Sequence, residues 1–124
     1  MSSSNRPLSP HLQVYKPQLT SILSIFHRIS GLLLALGLVL FVYWLYALAT
    51  DVAAADQFRG WMLSVPGQIA LYLWLYTFYY HFCNGIRHLL WDVGQGLTIK
   101  KVYRSGYTVL IAAAVLTVLT YLLV

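Results

Sequence analysis

Charged side chains are scarce in this sequence. Of its 124 residues, 9% are charged, only 3 are acidic and 60% are hydrophobic. A water-soluble domain carries about 25% charged residues, so the composition excludes an ordinary soluble protein and indicates an integral membrane protein. The net charge is +5. Because the basic residues lie near the ends of apolar stretches rather than in one patch, nucleic acid is not an expected partner.

Cysteine is almost absent as well. Cys83 is the single cysteine, so the chain cannot form an internal disulfide or a Cys-rich metal centre. We expect Cys83 to be a small packing residue. The first residues, MSSSNRPLSPH, lack the apolar core of a signal peptide. They also contain one arginine and no amphipathic pattern, so we do not expect a transit peptide either.

Three long stretches contain no charged residue, namely 29–50, 60–86 and 105–124. Each reaches the length of about 20 residues that a helix needs to cross the hydrocarbon core of a membrane. We therefore predict an all-α integral membrane protein that forms a single domain over 1–124. Its three transmembrane helices are expected at about 21–49, 64–93 and 104–124. Three prolines predict an irregular N-terminal arm over 1–20, and 51–60 is predicted to be a loop.

The distribution of lysine and arginine predicts the orientation. Three of these residues lie before or at the start of the first span, one lies in the first loop and three lie in the second loop. By the positive-inside rule, the N-terminus and the second loop face the cytoplasm, or the matrix if the source is a mitochondrion. The first loop and the C-terminus then face the opposite side.

The stretch 76–94, YTFYYHFCNGIRHLLWDVG, is unusually polar for a membrane span. At helical spacing, one stripe contains Thr77, His81, Gly85, His88 and Asp92, and Asn84 flanks it. An imidazole can ligate a metal, and a glycine one turn later lets a flat ring approach the backbone. Ionisable groups inside a membrane are costly and usually functional, which favours a cofactor site over a polar packing seam.

A second stripe lies at the start of the first span and contains Ser24, His27, Arg28 and Gly31. A lone arginine at a span end is often only a snorkelling anchor, but here a hydroxyl and an imidazole share its face. The predicted orientation puts both stripes near the cytoplasmic surface. His81 lies about 10 Å deeper than His88, since each helical residue rises about 1.5 Å. The two stripes therefore predict one shared site.

A haem fits this arrangement. His81 would ligate the iron, Gly85 would admit the porphyrin, and cationic groups nearer the surface would neutralise the propionates. The residues available for that last role are His27, Arg28, Arg87 and His88. Both other histidines of the two stripes are expected nearer the surface than His81, so we expect the second axial ligand to come from another subunit.

Ser24 and Arg28 indicate a second kind of ligand. A quinone is an apolar ring with two carbonyl oxygens, and negative charge develops on oxygen when it is reduced. A hydroxyl and a guanidinium at the membrane surface supply the hydrogen-bond donors that this reaction needs.

Two motifs in this order resemble the cytochrome b membrane-anchor subunits of succinate dehydrogenase, or succinate:quinone oxidoreductase. The first is RPLSPHLQVYKPQLTSILSIFHRIS at 6–30, and the second is HFCNGIRHLLWDVG at 81–94. With the three-span layout, the resemblance covers nearly the whole chain. It implies that His81 is the axial ligand of haem b iron and that Ser24 and Arg28 bind ubiquinone. It also implies that His27, Arg28 and His88 lie near the haem propionates.

The resemblance further implies partners and a location. A second small membrane-anchor subunit would supply the other haem ligand. An iron–sulfur subunit and a flavoprotein subunit would hold the iron–sulfur clusters and FAD, so this chain would not be catalytic by itself. Membrane lipid would surround the spans. A bacterial inner membrane is the expected location, ahead of a mitochondrial inner membrane.

Other interpretations compete with this one. A standalone cytochrome b would need two histidines at matching depth, which the sequence does not predict. The anchor of a related fumarate reductase would run the reaction in the opposite direction. A non-haem scaffold or transporter component would use Arg28 and Asp92 to line a pathway.

Overall fold

The computed structural model describes residues 16–124, which form four helices. These are α1 (Leu19–Thr50), α2 (Val52–Leu63), α3 (Val65–Asp92) and α4 (Ile99–Leu123). The expectation of an all-α fold is confirmed. The three long helices lie where the sequence predicts them, although α4 begins about one turn earlier than expected. Most of the predicted N-terminal arm lies outside the described residues.

The prediction of a loop at 51–60 is wrong, because this segment begins the helix α2. Asp51 caps it by accepting a hydrogen bond from the backbone N–H of Ala54 at 3.1 Å. Three consecutive alanines follow, which favour helix, and Ala55 is 1% exposed. Its charged residues therefore lie on a short helix rather than on a loop.

Within residues 16–124, α1 and α4 are long and apolar enough to cross a membrane, with mean hydropathies of 2.4 and 2.0 over their most apolar parts. The 28 residues of α3 match them in length. Its hydropathy is lower because it carries several tyrosines, two histidines, an asparagine and an arginine. Such a polar helix would have to be shielded from lipid by its neighbours.

Within residues 16–124, α3 contacts each of the other helices, as α1 also does. Near its middle, the buried cluster comprises Leu23, Tyr80, Val109 and Ala113. The Tyr80 hydroxyl donates to the backbone carbonyl of Leu23 at 2.7 Å, which ties α3 to α1. On α4, a Cβ at Gly106 would lie 2.7 Å from Leu23 Cδ1, so the missing side chain lets α1 approach. Small residues at helix crossings are typical of membrane bundles.

α1 and α3 also meet nearer the end where α2 lies. The Trp74 indole N–H donates to the carbonyl of Leu33 at 3.2 Å. A Cβ at Gly37 would overlap the Trp74 ring, so glycine is required at this crossing. Beside this crossing, an apolar cavity of about 460 Å³ lies between α1, α2 and α3.

The turn between α3 and α4 depends on glycine. Gly94 has φ 77° and Gly96 has φ 76°, both in the left-handed region that favours glycine. The N–H of Gly94 donates to the carbonyl of Trp91, and that of Gln95 donates to the carbonyl of Leu90, each at 2.9 Å. This pair of bonds is the Schellman motif, which satisfies carbonyls at the end of a helix.

Candidate functional site

The structure brings the two polar stripes together. The His27 ring on α1 stacks on the His81 ring of α3, with 4.1 Å between ring centroids and 11° between ring planes. The His88 ring lies 5.3 Å from the His27 ring and is tilted by 42°. We call His27, His81 and His88 the imidazole cluster. Helical spacing puts these histidines on one face of α3 and one face of α1, and the crossing of the two helices brings the rings together.

Hydrogen bonds hold His81 from one side. Its Nδ1 atom lies 2.9 Å from the hydroxyl oxygen of Ser30 and 3.2 Å from the backbone carbonyl oxygen of His27. The Ser30 hydroxyl in turn donates to that carbonyl at 2.7 Å. The other ring nitrogen of His81, Nε2, has no hydrogen-bond partner in the part of the chain that the structure describes. Nε2 is therefore the nitrogen left for a ligand.

Two glycines surround the cluster in different ways. A Cβ at Gly31 would lie 3.1 Å from His81 Cε1, so this glycine makes room for the imidazole itself. A Cβ at Gly85 would meet no atom within 4 Å. The side of α3 next to His81 thus has open space, as a flat cofactor on this helix requires.

One atom of the cluster lacks a partner. The Nδ1 atom of His27 is buried and makes no hydrogen bond within residues 16–124. Buried polar atoms in proteins are nearly always paired, so this nitrogen indicates a partner from outside the described residues. A haem fits the residues present, because it offers both an iron for His81 Nε2 and carboxylates for nearby donors.

The sequence places His27 nearer the surface than His81, and this expectation is wrong, because α1 crosses α3 with the two rings in contact. The stacking nevertheless does not provide a pair of axial ligands. Because these rings lie face to face, His27 and His81 would not hold one iron between them. A second axial ligand from another chain remains the expectation.

Ser24 and Arg28 lie one turn apart on α1. Ser24 is half-buried and Arg28 is exposed. Within residues 16–124, neither side chain makes a hydrogen bond. Both are thus available to one ligand beside the imidazole cluster.

Arg87 faces away from the cluster although it precedes His88. It is 4% exposed, and its nitrogens donate to Ser105 Oγ and Val102 O of α4, each at 2.9 Å, and to Asn84 Oδ1 of α3 at 3.2 Å. Its guanidinium also lies 4.1 Å from the centre of the Trp91 ring. Arg87 therefore joins α3 to α4 and does not share the cationic role considered for it from the sequence.

Two further members of the predicted stripe of α3 make no hydrogen bond to the cluster within residues 16–124. Asp92 is exposed at the end of α3. The Thr77 hydroxyl donates to the carbonyl of Leu73 within its own helix. Ser30 is the residue that sequence reasoning missed. Its signal was available, since it follows His27 by three residues and so shares a helix face with it.

Comparison with known proteins gives the family. A family model described as the succinate dehydrogenase/fumarate reductase transmembrane subunit matches residues 2–120. A succinate dehydrogenase cytochrome b556 subunit of Rickettsia prowazekii is 40% identical over 116 residues, which cover 94% of this chain and 90% of that protein. A cytochrome b556 subunit of Paracoccus denitrificans is 42% identical over 120 residues (94% and 89%).

A different lineage gives the same result. A succinate dehydrogenase cytochrome b560 subunit of Marchantia polymorpha is 43% identical over 121 residues, which cover 93% of this chain and 88% of that protein. The match to the family model includes both polar stripes and reaches all four helices. This chain belongs to the succinate dehydrogenase/fumarate reductase transmembrane subunit family, as its two motifs predict.

Proposed function

We propose that this chain is the cytochrome b membrane anchor of a succinate dehydrogenase. It shares one haem b with a second small membrane subunit and forms part of the site where ubiquinone is reduced. One observation carries the proposal: His81 is held through Nδ1, while Nε2 has no partner within the described residues and lies on a helix with open space at Gly85. Relatives named as cytochrome b subunits support it.

In this proposal, His81 binds the haem iron through Nε2, and the haem supplies one-electron transfer. Gly85 leaves the side of α3 open for the porphyrin. His27, Arg28 and His88 would hold the propionates. The His27 Nδ1 atom, unpaired within the described residues, supports its part in this role. Hydrogen bonds from charged donors to carboxylates are among the stronger ones in proteins.

Ser24 and Arg28 bind the ubiquinone ring. The Ser24 hydroxyl donates to one carbonyl oxygen, and the Arg28 guanidinium stabilises negative charge on oxygen as the quinone is reduced. Their positions one turn apart on α1, without other partners within residues 16–124, support a shared ligand. Arg28 is exposed and makes no hydrogen bond within residues 16–124, which leaves it available to the propionates as well.

The proposed arrangement in the membrane has three spans, α1, α3 and α4, with α2 at the surface opposite the site. The N-terminus and the turn between α3 and α4 face the cytoplasm of a bacterium. Lys100, Lys101 and Arg104 at the start of α4 support this orientation. A flavoprotein subunit with FAD and an iron–sulfur subunit dock on the cytoplasmic face and deliver electrons from succinate. The second anchor subunit covers the polar face of α3.

A second candidate is the anchor of a fumarate reductase, which the description of the family also names. The same site would then pass electrons from a quinol toward fumarate. Assays of both directions with ubiquinone and menaquinone analogues on the intact complex distinguish the two.

His81→Ala tests the haem proposal. In the assembled complex, we expect loss of the bis-imidazole low-spin EPR signal and a reduced-minus-oxidised spectrum with less haem. Phe82→Ala is the matched control, because Phe82 is the adjacent residue of α3 and is exposed. An unchanged bis-imidazole signal at full haem content would show that His81 is not a ligand. Absence of haem from the unmodified complex would favour the non-haem scaffold instead.

Ser24→Ala tests the quinone proposal. Loss of one donor should lower kcat/KM for quinone by about 5- to 150-fold, equivalent to about 1–3 kcal/mol. Haem content and succinate oxidation with an artificial acceptor that bypasses the membrane should stay near normal. Thr50→Ala is the control, because it removes a hydroxyl from the opposite end of α1. If quinone reduction survives Ser24→Ala, the quinone site rests on Arg28 alone.

Reporter fusions test the orientation. A reporter after Asp56 or at the C-terminus should give a periplasmic signal, and one after Gly96 a cytoplasmic signal. A cytoplasmic signal from the α2 fusion would contradict the proposed topology.

A further inference from the structure

Ser30 connects the two helices of the imidazole cluster. It is on α1 and is 4% exposed, and its hydroxyl oxygen lies 2.9 Å from Nδ1 of His81 on α3. The same hydroxyl lies 2.7 Å from the carbonyl oxygen of His27. The proposed haem and quinone roles assign nothing to Ser30 itself.

The contacts determine which nitrogen of His81 carries the proton. A carbonyl oxygen can only accept, so the Ser30 hydroxyl donates to His27 O and offers its lone pairs to His81. Nδ1 of His81 lies 3.2 Å from that carbonyl too. A lone pair on Nδ1 would face two oxygens with lone pairs, whereas an N–H satisfies both. The neutral ring therefore carries its proton on Nδ1, and the lone pair is on Nε2.

We propose that Ser30 is a positioning residue for the haem ligand His81. Its hydroxyl accepts the Nδ1 proton, fixes the tautomer that leaves Nε2 able to bind iron, and sets the rotation of the ring. This inference rests on the proposed haem function. A hydrogen bond at the far nitrogen of a ligating imidazole also raises its basicity, and residues in this role typically affect metal affinity about 10- to 100-fold.

The neighbouring residues make the ring dependent on Ser30. A Cβ built at the adjacent Gly31 would lie only 3.1 Å from His81 Cε1, so the ring packs closely against α1. Without the serine hydroxyl, Nδ1 retains one partner, the His27 carbonyl at the longer distance of 3.2 Å. The orientation of the ring would then depend on packing and on that single weaker contact.

A serine inside a helix often bonds to a carbonyl of the preceding turn without any further role. Thr117 on α4 is such a residue here, since it is partly buried and donates to the carbonyl of Ala113. Thr117→Ala is therefore a matched control that removes a hydroxyl with the local bond but without a histidine contact.

The test compares Ser30→Ala, Ser30→Thr and Thr117→Ala in the assembled complex. Two properties are measured: the largest g value of the low-spin haem EPR signal, and the rate at which haem transfers to excess apomyoglobin. Ser30→Ala should shift the g value and weaken haem retention about 10- to 100-fold. Ser30→Thr keeps the hydroxyl and should restore both properties, and Thr117→Ala should match the unmodified complex.

The outcomes separate this inference from the proposed function. If His81→Ala keeps the bis-imidazole signal, the haem assignment itself fails. If His81→Ala loses that signal while Ser30→Ala matches the unmodified complex in both properties, the role of Ser30 is overturned. If Ser30→Ala does not assemble, Ser30→Cys carries the test. Its thiol is a weaker hydrogen-bonding group than a hydroxyl. A shifted g value and weaker haem retention than in Ser30→Thr would support the role of Ser30, and equal values in the two variants would overturn it.

Discussion

The two faces of α3 treat polar groups in opposite ways. Adjacent residues illustrate this. Arg87 donates three hydrogen bonds, two of them to α4. His88 makes only ring contacts with His27 and Trp91 among the described residues. On the face of α3 that packs against α4, here called the α4 face, most polar atoms have hydrogen-bond partners within the described residues. On the face of α3 that packs against α1, here called the α1 face, ring nitrogens have no partner within residues 16–124, and the space beside Gly85 is open. The difference teaches that one face of the helix joins it to its neighbour, whereas the other keeps the groups that we propose bind a ligand.

The α4 face has one exception. Asn84 is 0% exposed, and its Oδ1 accepts from Arg87, but Nδ2 has no partner within residues 16–124. The Oδ1 atom of Asn84 is thus occupied by the hydrogen bond from Arg87. The α1 face differs in kind, because its unpaired His27 Nδ1 belongs to a group of stacked rings with space beside it.

The largest effect should come from removing Arg87. Arg87→Ala leaves Val102 O and Asn84 Oδ1 without these donors, and we expect a loss of about 3 kcal/mol in stability. Thermal unfolding of the purified complex measures it. Arg104→Ala is the control, because Arg104 is an exposed arginine of α4. Equal effects of the two variants would contradict a scaffold role for the α4 face.

Gly85→Ala should sharpen the comparison between the two faces, because it should lower haem binding without lowering the stability of the chain. A Cβ has space in the chain itself, and alanine favours helix over glycine by about 0.5–1 kcal/mol. We therefore expect unchanged or higher stability of the haem-stripped complex, together with lower haem content by pyridine haemochrome assay. Gly60→Ala, another helical site with no atom within 4 Å, should leave haem content unchanged. Full haem content in Gly85→Ala would mean that the porphyrin does not lie there.

His88→Ala should have a smaller effect than His81→Ala. If His88 contacts a propionate rather than iron, the low-spin EPR signal should persist while haem binding weakens by about 1–2 kcal/mol. Haem transfer to apomyoglobin measures the change. Leu89→Ala is the control at an exposed neighbour. Loss of the low-spin signal in His88→Ala would give His88 a ligand role instead.

The smallest effect belongs to a single bond of the α4 face. The hydroxyls of Tyr79 and Thr120 lie 2.7 Å apart and join α3 to α4. Hydrogen bonds between membrane helices are worth about 0.6 kcal/mol on average, so Tyr79→Phe should lower stability by about that amount and leave the haem spectrum unchanged. Tyr107→Phe, at an exposed tyrosine of α4, is the control. A changed haem spectrum in Tyr79→Phe would break the separation of the two faces.

The long helices, and the fact that the two polar stripes share one site, were predictable because they depend on composition and helical spacing. The separation of Arg87 from His88 follows from the same spacing, since successive residues of a helix differ by about 100°. Helix α2 was missed because its charges suggested a loop, although Asp51 caps it and alanines follow.

The contacts of Ser30 and the depth of His27 could not be predicted in this way. Both depend on how far along α3 the helix α1 crosses it, and that position is set by packing between residues distant in sequence. Tyr80 with Leu23 and Gly37 with Trp74 are such pairs. Helical spacing places residues on a face but does not determine where two helices meet.

The corner between α2 and α3 limits how the length of this chain can vary. A Cβ at Gly67 would overlap the carbonyl oxygen of Trp61 and lie 2.9 Å from Met62 Cα, and Ser64 Oγ accepts a hydrogen bond from the N–H of Gly67. One residue inserted in α2 would turn the next part of the helix by about 100° and shift it by about 1.5 Å. Insertions here would therefore be transmitted along α3 to His81. We expect natural variation in length to fall outside this corner, even though it lies far from His81.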